Sequence, residues 1–186
     1  MSDARSRRNR QNTLTLIGAL GASLAIVLLL VTVTVRPTNL DRNDVDWNQV
    51  WQATAQSTSL VNPQFTESDG EWWANRAQQV GGQYPLWYIG FVSPTSGFVA
   101  VEQFSGPPSP EIAGELDDVT PTRVVLGGQS WSVFDRRDVE NAGNRGVIYL
   151  LGDRGEGDTL MVSGTAPTPE IELVALRALE SLETSR

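Results

Sequence analysis

The sequence predicts an α+β domain, an antiparallel sheet of about six to seven strands packed by an N-terminal and a C-terminal helix and preceded by one transmembrane helix. Three observations carry this. Twenty-two consecutive uncharged residues fill positions 14–35; short aromatic and β-branched runs separated by glycine and proline follow from position 72; and an amphipathic stretch stands at each end of the chain beyond residue 43.

Residues 1–13 form a basic tip, with Arg5, Arg7, Arg8 and Arg10 against Asp3 alone. A helix over 14–35 would rise about 33 Å at ~1.5 Å per residue, enough for a hydrocarbon core of roughly 30 Å. Flanking arginines hold their side in the cytoplasm, so everything after Arg36 is expected outside. A cleaved export signal is the rival reading. Such signals have an apolar core of about 7 to 15 residues and a small-residue cleavage site, whereas this run leaves through Val31-Thr32-Val33-Thr34-Val35. An uncleaved anchor is expected, in the plasma membrane with a single pass. Gly18 and Ala22, and Gly21 and Ala25, stand at a spacing that lets two spanning helices approach closely.

Pro37 ends the span, and 36–43 is a polar linker. The exported domain, 44–186, opens with a helix. Asp46 caps it, with Gln49 three residues on as a capping box and Val45 and Val50 as a hydrophobic staple. Trp47, Val50, Trp51, Thr54 and Ala55 make its apolar stripe.

Strands are expected over 72–80, 86–92 and 98–104, joined into a meander through Gly81-Gly82 and Pro94-Thr95-Ser96-Gly97. In the second, Trp87, Ile89 and Phe91 alternate with Leu86, Tyr88, Gly90 and Val92, so both faces are apolar and the strand belongs inside the sheet. A short helix over 110–116 precedes strands 123–126 and 131–135 around Gly127-Gly128, and 147–151 pairs with 160–163. The Gly-Gly-Gln at 81–83 and at 127–129 reflects shared hairpin-turn chemistry and not a duplicated module. Last comes a helix with Thr168 as N-cap and Pro169 at its first position. Its face of Ile171, Val174, Ala175, Ala178, Leu179 and Leu182 needs a sheet to lie on.

Composition limits the chemistry. The chain has 14 basic residues, all arginine, and neither histidine nor cysteine. Without histidine, cysteine or lysine there is no Ser-His-Asp or Cys-His set, no zinc site of nitrogen or sulfur ligands, and no disulfide. From Arg36 onward 10 arginines face 21 acids, a net charge of 10 − 21 = −11, which repels nucleic acid.

An ordered set of segments resembles a known family. It comprises Val45-Asp46-Trp47, the run Leu86-Trp87-Tyr88-Ile89-Gly90-Phe91-Val92-Ser93-Pro94, then Val101-Glu102-Gln103, Gly128-Gln129-Ser130-Trp131, and Val162-Ser163-Gly164-Thr165-Ala166 before a leucine-rich helix. Together with the basic tip and span, these resemble the actinobacterial family known as domain of unknown function 4245. The resemblance implies an envelope protein of an actinomycete. It brings no catalytic residues with it.

Carboxylates are the remaining reactive groups. Glu102 shares a strand face with Phe98, Ala100 and Phe104, where apolar neighbours could raise its pKa, but spacing indicates no second acid for a glycosidase. It is read as a strand-end glutamate bonded to backbone or to an arginine. Asp153, Glu156 and Asp158, and Glu115, Asp117 and Asp118, are oxygen-rich groups of the kind calcium uses, yet neither has EF-hand spacing and both are read as solvated turns. Arg136, Arg137 and Arg145 could hold an anion, although Asp135, Asp138 and Glu140 lie among them as internal partners. No metal or cofactor is expected. Alternation sends Trp72 and Trp73 to opposite faces, so one of them, with Tyr84 nearby, is a candidate partner-binding surface. The expected function is a membrane-anchored, non-enzymatic envelope module binding a protein or cell-wall partner. The alternative is a carboxylate-dependent hydrolase of envelope glycans.

Overall fold

The computed structural model describes residues 20–21, 23–24, 44–55, 60–152 and 158–184. The chain divides into two units, Met1–Arg42 and Asn43–Arg186. Of the first, the four described residues are helical; the rest of the expected 14–35 span lies outside the described residues, as do Asp153 and Glu156. Among the described residues no helix is long and apolar enough to cross a membrane.

Among its described residues the second unit holds seven strands: β1 (Trp73–Val80), β2 (Leu86–Val92), β3 (Phe98–Ser105), β4 (Thr122–Leu126), β5 (Gln129–Asp135), β6 (Val147–Leu151) and β7 (Asp158–Gly164). The helices are α1 (Trp47–Thr54), α2 (Pro110–Asp117) and α3 (Thr168–Thr184), with a 3-10 turn at Glu67–Asp69. All pairings are antiparallel, in the order β1-β2-β3-β7-β6-β5-β4. Two meanders therefore meet where β3 pairs with β7, and α2 lies on the link between them.

Local chemistry explains the elements. Asp46 caps α1 by accepting from the Gln49 amide at 3.0 Å. Gly127 and Gly128, both with positive φ (60° and 73°), make a two-residue turn with Leu126 opposite Gln129, the backbone that a type I′ hairpin requires. The other glycine pair serves differently. Val80 faces Leu86 across a five-residue connection in which Gly82 alone has positive φ (107°). At α3 the helix starts one residue earlier than expected: Thr168 is already helical, and the Pro167 carbonyl accepts from Glu170 and Ile171.

One sheet face carries the main core. Trp87, Ile89 and Phe91 of β2, Val99 and Val101 of β3, and Leu160 and Val162 of β7 join Ile171, Val174, Ala178 and Leu179 of α3, with α1 packed at the margin. The segment 60–65 crosses the same face. Trp87 Nε1 donates to the Val61 carbonyl at 2.8 Å, and the Val61 amide donates to Gln103 Oε1 at 2.8 Å. Phe65 stacks on Trp72 at 4.7 Å, and Phe91 meets both Phe65 and Trp47 edge-on. The tryptophans are thus mainly core. Trp72, expected as a possible surface residue, is buried and donates from Nε1 to the Asp69 carbonyl at 2.9 Å.

On the opposite face a smaller cluster of Phe104, Phe134, Ile148 and Met161 packs under α2 through Ile112. This cluster leaves the rest of the second face free for polar construction.

Candidate functional site

Cross-strand register makes a hollow on this second face. Gly90, Ala100 and Ser163 stand opposite one another on β2, β3 and β7, a row of small side chains. On one side runs the row Tyr88, Glu102 and Met161, and on the other stands Phe98. Small residues flanked by large ones across a pleated sheet leave a depression. Above Gly90 the room is taken: a Cβ there would lie 2.6 Å from Asn75 Oδ1, 3.1 Å from the Tyr88 hydroxyl and 3.2 Å from Phe98. Beside it lies a cleft of about 300 Å³ whose floor includes the buried Ala100 and Ser163 and which Tyr88, Phe98, Glu102, Glu115 and the loop residues 141–145 also line.

The walls are held by ion pairs. Glu115 comes from α2, whose N-terminus Ser109 caps and whose Ile112 anchors the helix in the smaller cluster. The loop after β5 is closed at its base by the Arg136 amide donating to the Gly146 carbonyl at 2.7 Å, and it turns through positive φ at Asn141 and Gly143. Arg136, 4% exposed, ties this loop to α2 by pairing with Glu115 at 3.2 Å and Asp118 at 2.8 Å.

Arg145 then reaches over the floor. Its Nη1 donates to Glu115 at 3.1 and 3.4 Å, its Nη2 to Glu102 at 3.2 and 3.3 Å, and its Nε to Glu102 at 3.4 Å. All three guanidinium nitrogens are therefore engaged by carboxylates. Glu102, 2% exposed, has its pKa raised, because burial outweighs the attraction of Arg145 and Glu115 adds repulsion. Arg145 is pushed up: its own burial opposes this, but the two carboxylates win. Burial and the Glu102 charge together raise the Tyr88 phenol.

One polar group in the cleft is unsatisfied. Ser163 is fully buried, and its Oγ has no hydrogen-bond partner among the described residues. A buried hydroxyl left alone costs about 1–3 kcal/mol.

Several sequence expectations change here. Glu102 is bonded to an arginine, as read, but it sits mid-sheet and a second acid, Glu115, shares its guanidinium. Glu115 and Asp118 are not a solvated turn; they face Arg136. Arg137 pairs with Asp135, whereas Arg136 and Arg145 take acids from α2 and β3 in place of Asp138 and Glu140. Trp73 is half-buried at the start of β1, and Tyr84, also half-buried, accepts from Gln83 Nε2 at 3.4 Å in the β1–β2 turn. Neither lines the cleft. Among the described residues no group of three acids is placed to hold a metal ion.

A family model described as "Protein of unknown function (DUF4245)" matches residues 8–177. The chain belongs to this family. That match spans both the 14–35 run and every residue of the cleft. No curated protein and no solved structure matches the chain.

Proposed function

We propose that this chain is a non-enzymatic binding module of a bacterial envelope, anchored by residues 14–35 with its C-terminal domain outside, and that the cleft over Glu102 and Ser163 is where it takes its partner. The observation that carries this is the hollow itself: a small-residue row in the sheet, floored by a buried hydroxyl that has no partner among the described residues and walled by an ion-paired loop. Four arginines before an uncharged 22-residue run support the topology.

A glycan hydrolase is the second reading, and Glu102 with Glu115 supplies the two acids it would need. Hydrolysis requires the scissile bond to lie between them. Here the Arg145 guanidinium occupies that position, bonded to both, which favours binding over cleavage.

The test uses the full chain. A reporter active only outside the cytoplasm, fused after Arg186, should be active, and the detergent-solubilised full chain should be retained by detergent-washed, membrane-free envelope material, where the anchor contributes nothing. Asn144→Trp, which fills the exposed rim of the cleft, should lose that retention without lowering the melting temperature. Retention unchanged by Asn144→Trp would remove the cleft from the function. Release of soluble glycan by the wild-type chain, abolished in Glu102→Gln, would establish the hydrolase.

A further inference from the structure

We infer that the cleft binds a neutral polyhydroxylated ligand, one or two sugar rings in size, recognised chiefly through the hydrogen bonds that its hydroxyl groups donate. The inference rests on the binding reading above and names the ligand class for the same site.

The inventory of donors and acceptors decides the class. Arg145, the cation of the cleft, has every nitrogen turned to Glu102 or Glu115. An anion would find a guanidinium whose three nitrogens already serve two carboxylates, and would meet those carboxylates itself, so anionic ligands are disfavoured. A purely apolar ligand would have to cover Glu102, Glu115 and Arg145 without bonding to them, at the cost of their remaining hydration. A cation would gain from the two acids but would lie beside the guanidinium between them, which offsets much of that gain.

A neutral polyol meets none of these objections. An ionised carboxylate offers about four lone-pair sites; Arg145 on Glu102, and Arg145 with Arg136 on Glu115, leave part of those to accept from ligand hydroxyls. Ser163 Oγ, buried at the cleft floor and without a partner among the described residues, keeps its donor and acceptor capacity uncommitted. Phe98 and Tyr88 supply apolar ring surface for the C–H faces of a sugar, and Asn141 and Asn144 stand at the rim. The volume, about 300 Å³, lies at the lower end of the ~300 to 1,000 Å³ of small-molecule sites.

Saturation-transfer NMR on the full chain, in a detergent without a sugar headgroup, tests the class with four probes: N-acetylglucosamine and trehalose as neutral polyols, butylammonium as a cation and gluconate as an anion. Binding of at least one neutral saccharide in preference to both ions is expected. Ser163→Ala should weaken that binding on the order of tenfold, the worth of one hydrogen bond, while leaving the melting temperature unchanged or higher, because a purely structural serine would not combine those effects. Asn144→Trp should abolish the signal, which keeps the test valid if Ser163→Ala fails to fold. Preference for butylammonium or gluconate, or saccharide binding unaffected by both variants, would overturn the polyol assignment. So would the absence of saccharide binding in a chain that envelope still retains in a cleft-dependent manner, and that result would leave the binding module itself standing.

Discussion

Glu102 is a carboxylate with 2% of its surface exposed, in the middle of a sheet. Arg145 makes its charge tolerable, yet burial still prevails and the folded-state pKa stands above the ordinary value of a glutamate. In the window between that value and the raised one, the folded chain holds more protons than the unfolded chain. Stability attributable to Glu102 therefore falls as pH rises through the window. Glu102→Gln should remove this loss. Removing one partner of a buried pair is costly when the other is stranded, but Arg145 keeps Glu115 and is 28% exposed. The expected outcome is a melting temperature at neutral pH equal to or above wild type, with a flatter dependence in thermal melts from about pH 4 to 8. A marked fall would mean that Arg145 needs both acids to hold the loop. Glu102 was visible in the sequence as an acid among apolar neighbours. Ser163 was not, because a serine in a strand carries no sign of whether its hydroxyl will find a partner.

At the scale of elements, α3 is the clearest case of pattern becoming packing. Its spaced apolar residues are buried against the sheet, and Leu179 is 3% exposed. The β4–β5 turn leans on the same side chain: a Cβ on Gly127 would stand 2.6 Å from Leu179 Cδ2. Leu179→Asp places an unpaired charge in that contact and should cost several kcal/mol, a large part of the ~5 to 15 kcal/mol that holds a domain together. Loss of the cooperative unfolding transition in chemical denaturation is expected. Val125→Asp, on edge strand β4 and 77% exposed, should stay within about 0.5 kcal/mol of wild type; equal damage from both would show that charge alone, and not burial, was at fault. The far end of the domain is tied to α3 by Arg177, which bonds Asp69 at 2.9 to 3.1 Å. That bond chiefly holds the Asp69 carboxyl below its ordinary range, so its contribution is present above the unfolded value and lost as pH falls through the depressed one.

For the sheet as a whole, the junction of β3 with β7 joins the two meanders, and Gly164 sits at its end. Paired with Val99 on one side and Val147 on the other, it lies so close to the Phe98 carbonyl and the Val99 Cα that a Cβ would collide with backbone. A backbone atom cannot turn aside as a side-chain tip can. Gly164→Ala should therefore cost about 1–3 kcal/mol, as overpacking does, and should open β7 from β3. Faster hydrogen exchange at the amides of 98–101, with β4 and β5 unchanged, is the expected reading; unchanged exchange would show that the junction has slack.

The two ranges of interaction explain what could be read before folding. Strand limits, the Asp46 cap, the Gly127-Gly128 turn and the apolar face of α3 depend on residues close in sequence, so alternation, helical spacing and turn chemistry determined them. The choice of β7 as the neighbour of β3 does not. It joins segments about 60 residues apart, selected by how whole faces pack, and no local pattern encodes such a closure. With that pairing come the row of Ala100 beside Ser163 and the meeting of Glu102, Glu115 and Arg145. The arginines near position 140 had nearer acids to choose from, and Coulomb attraction between exposed charges hardly discriminates among them. Burial did: folding placed Arg136 and Glu102 where only particular partners could reach, and only the tertiary structure could decide which they were.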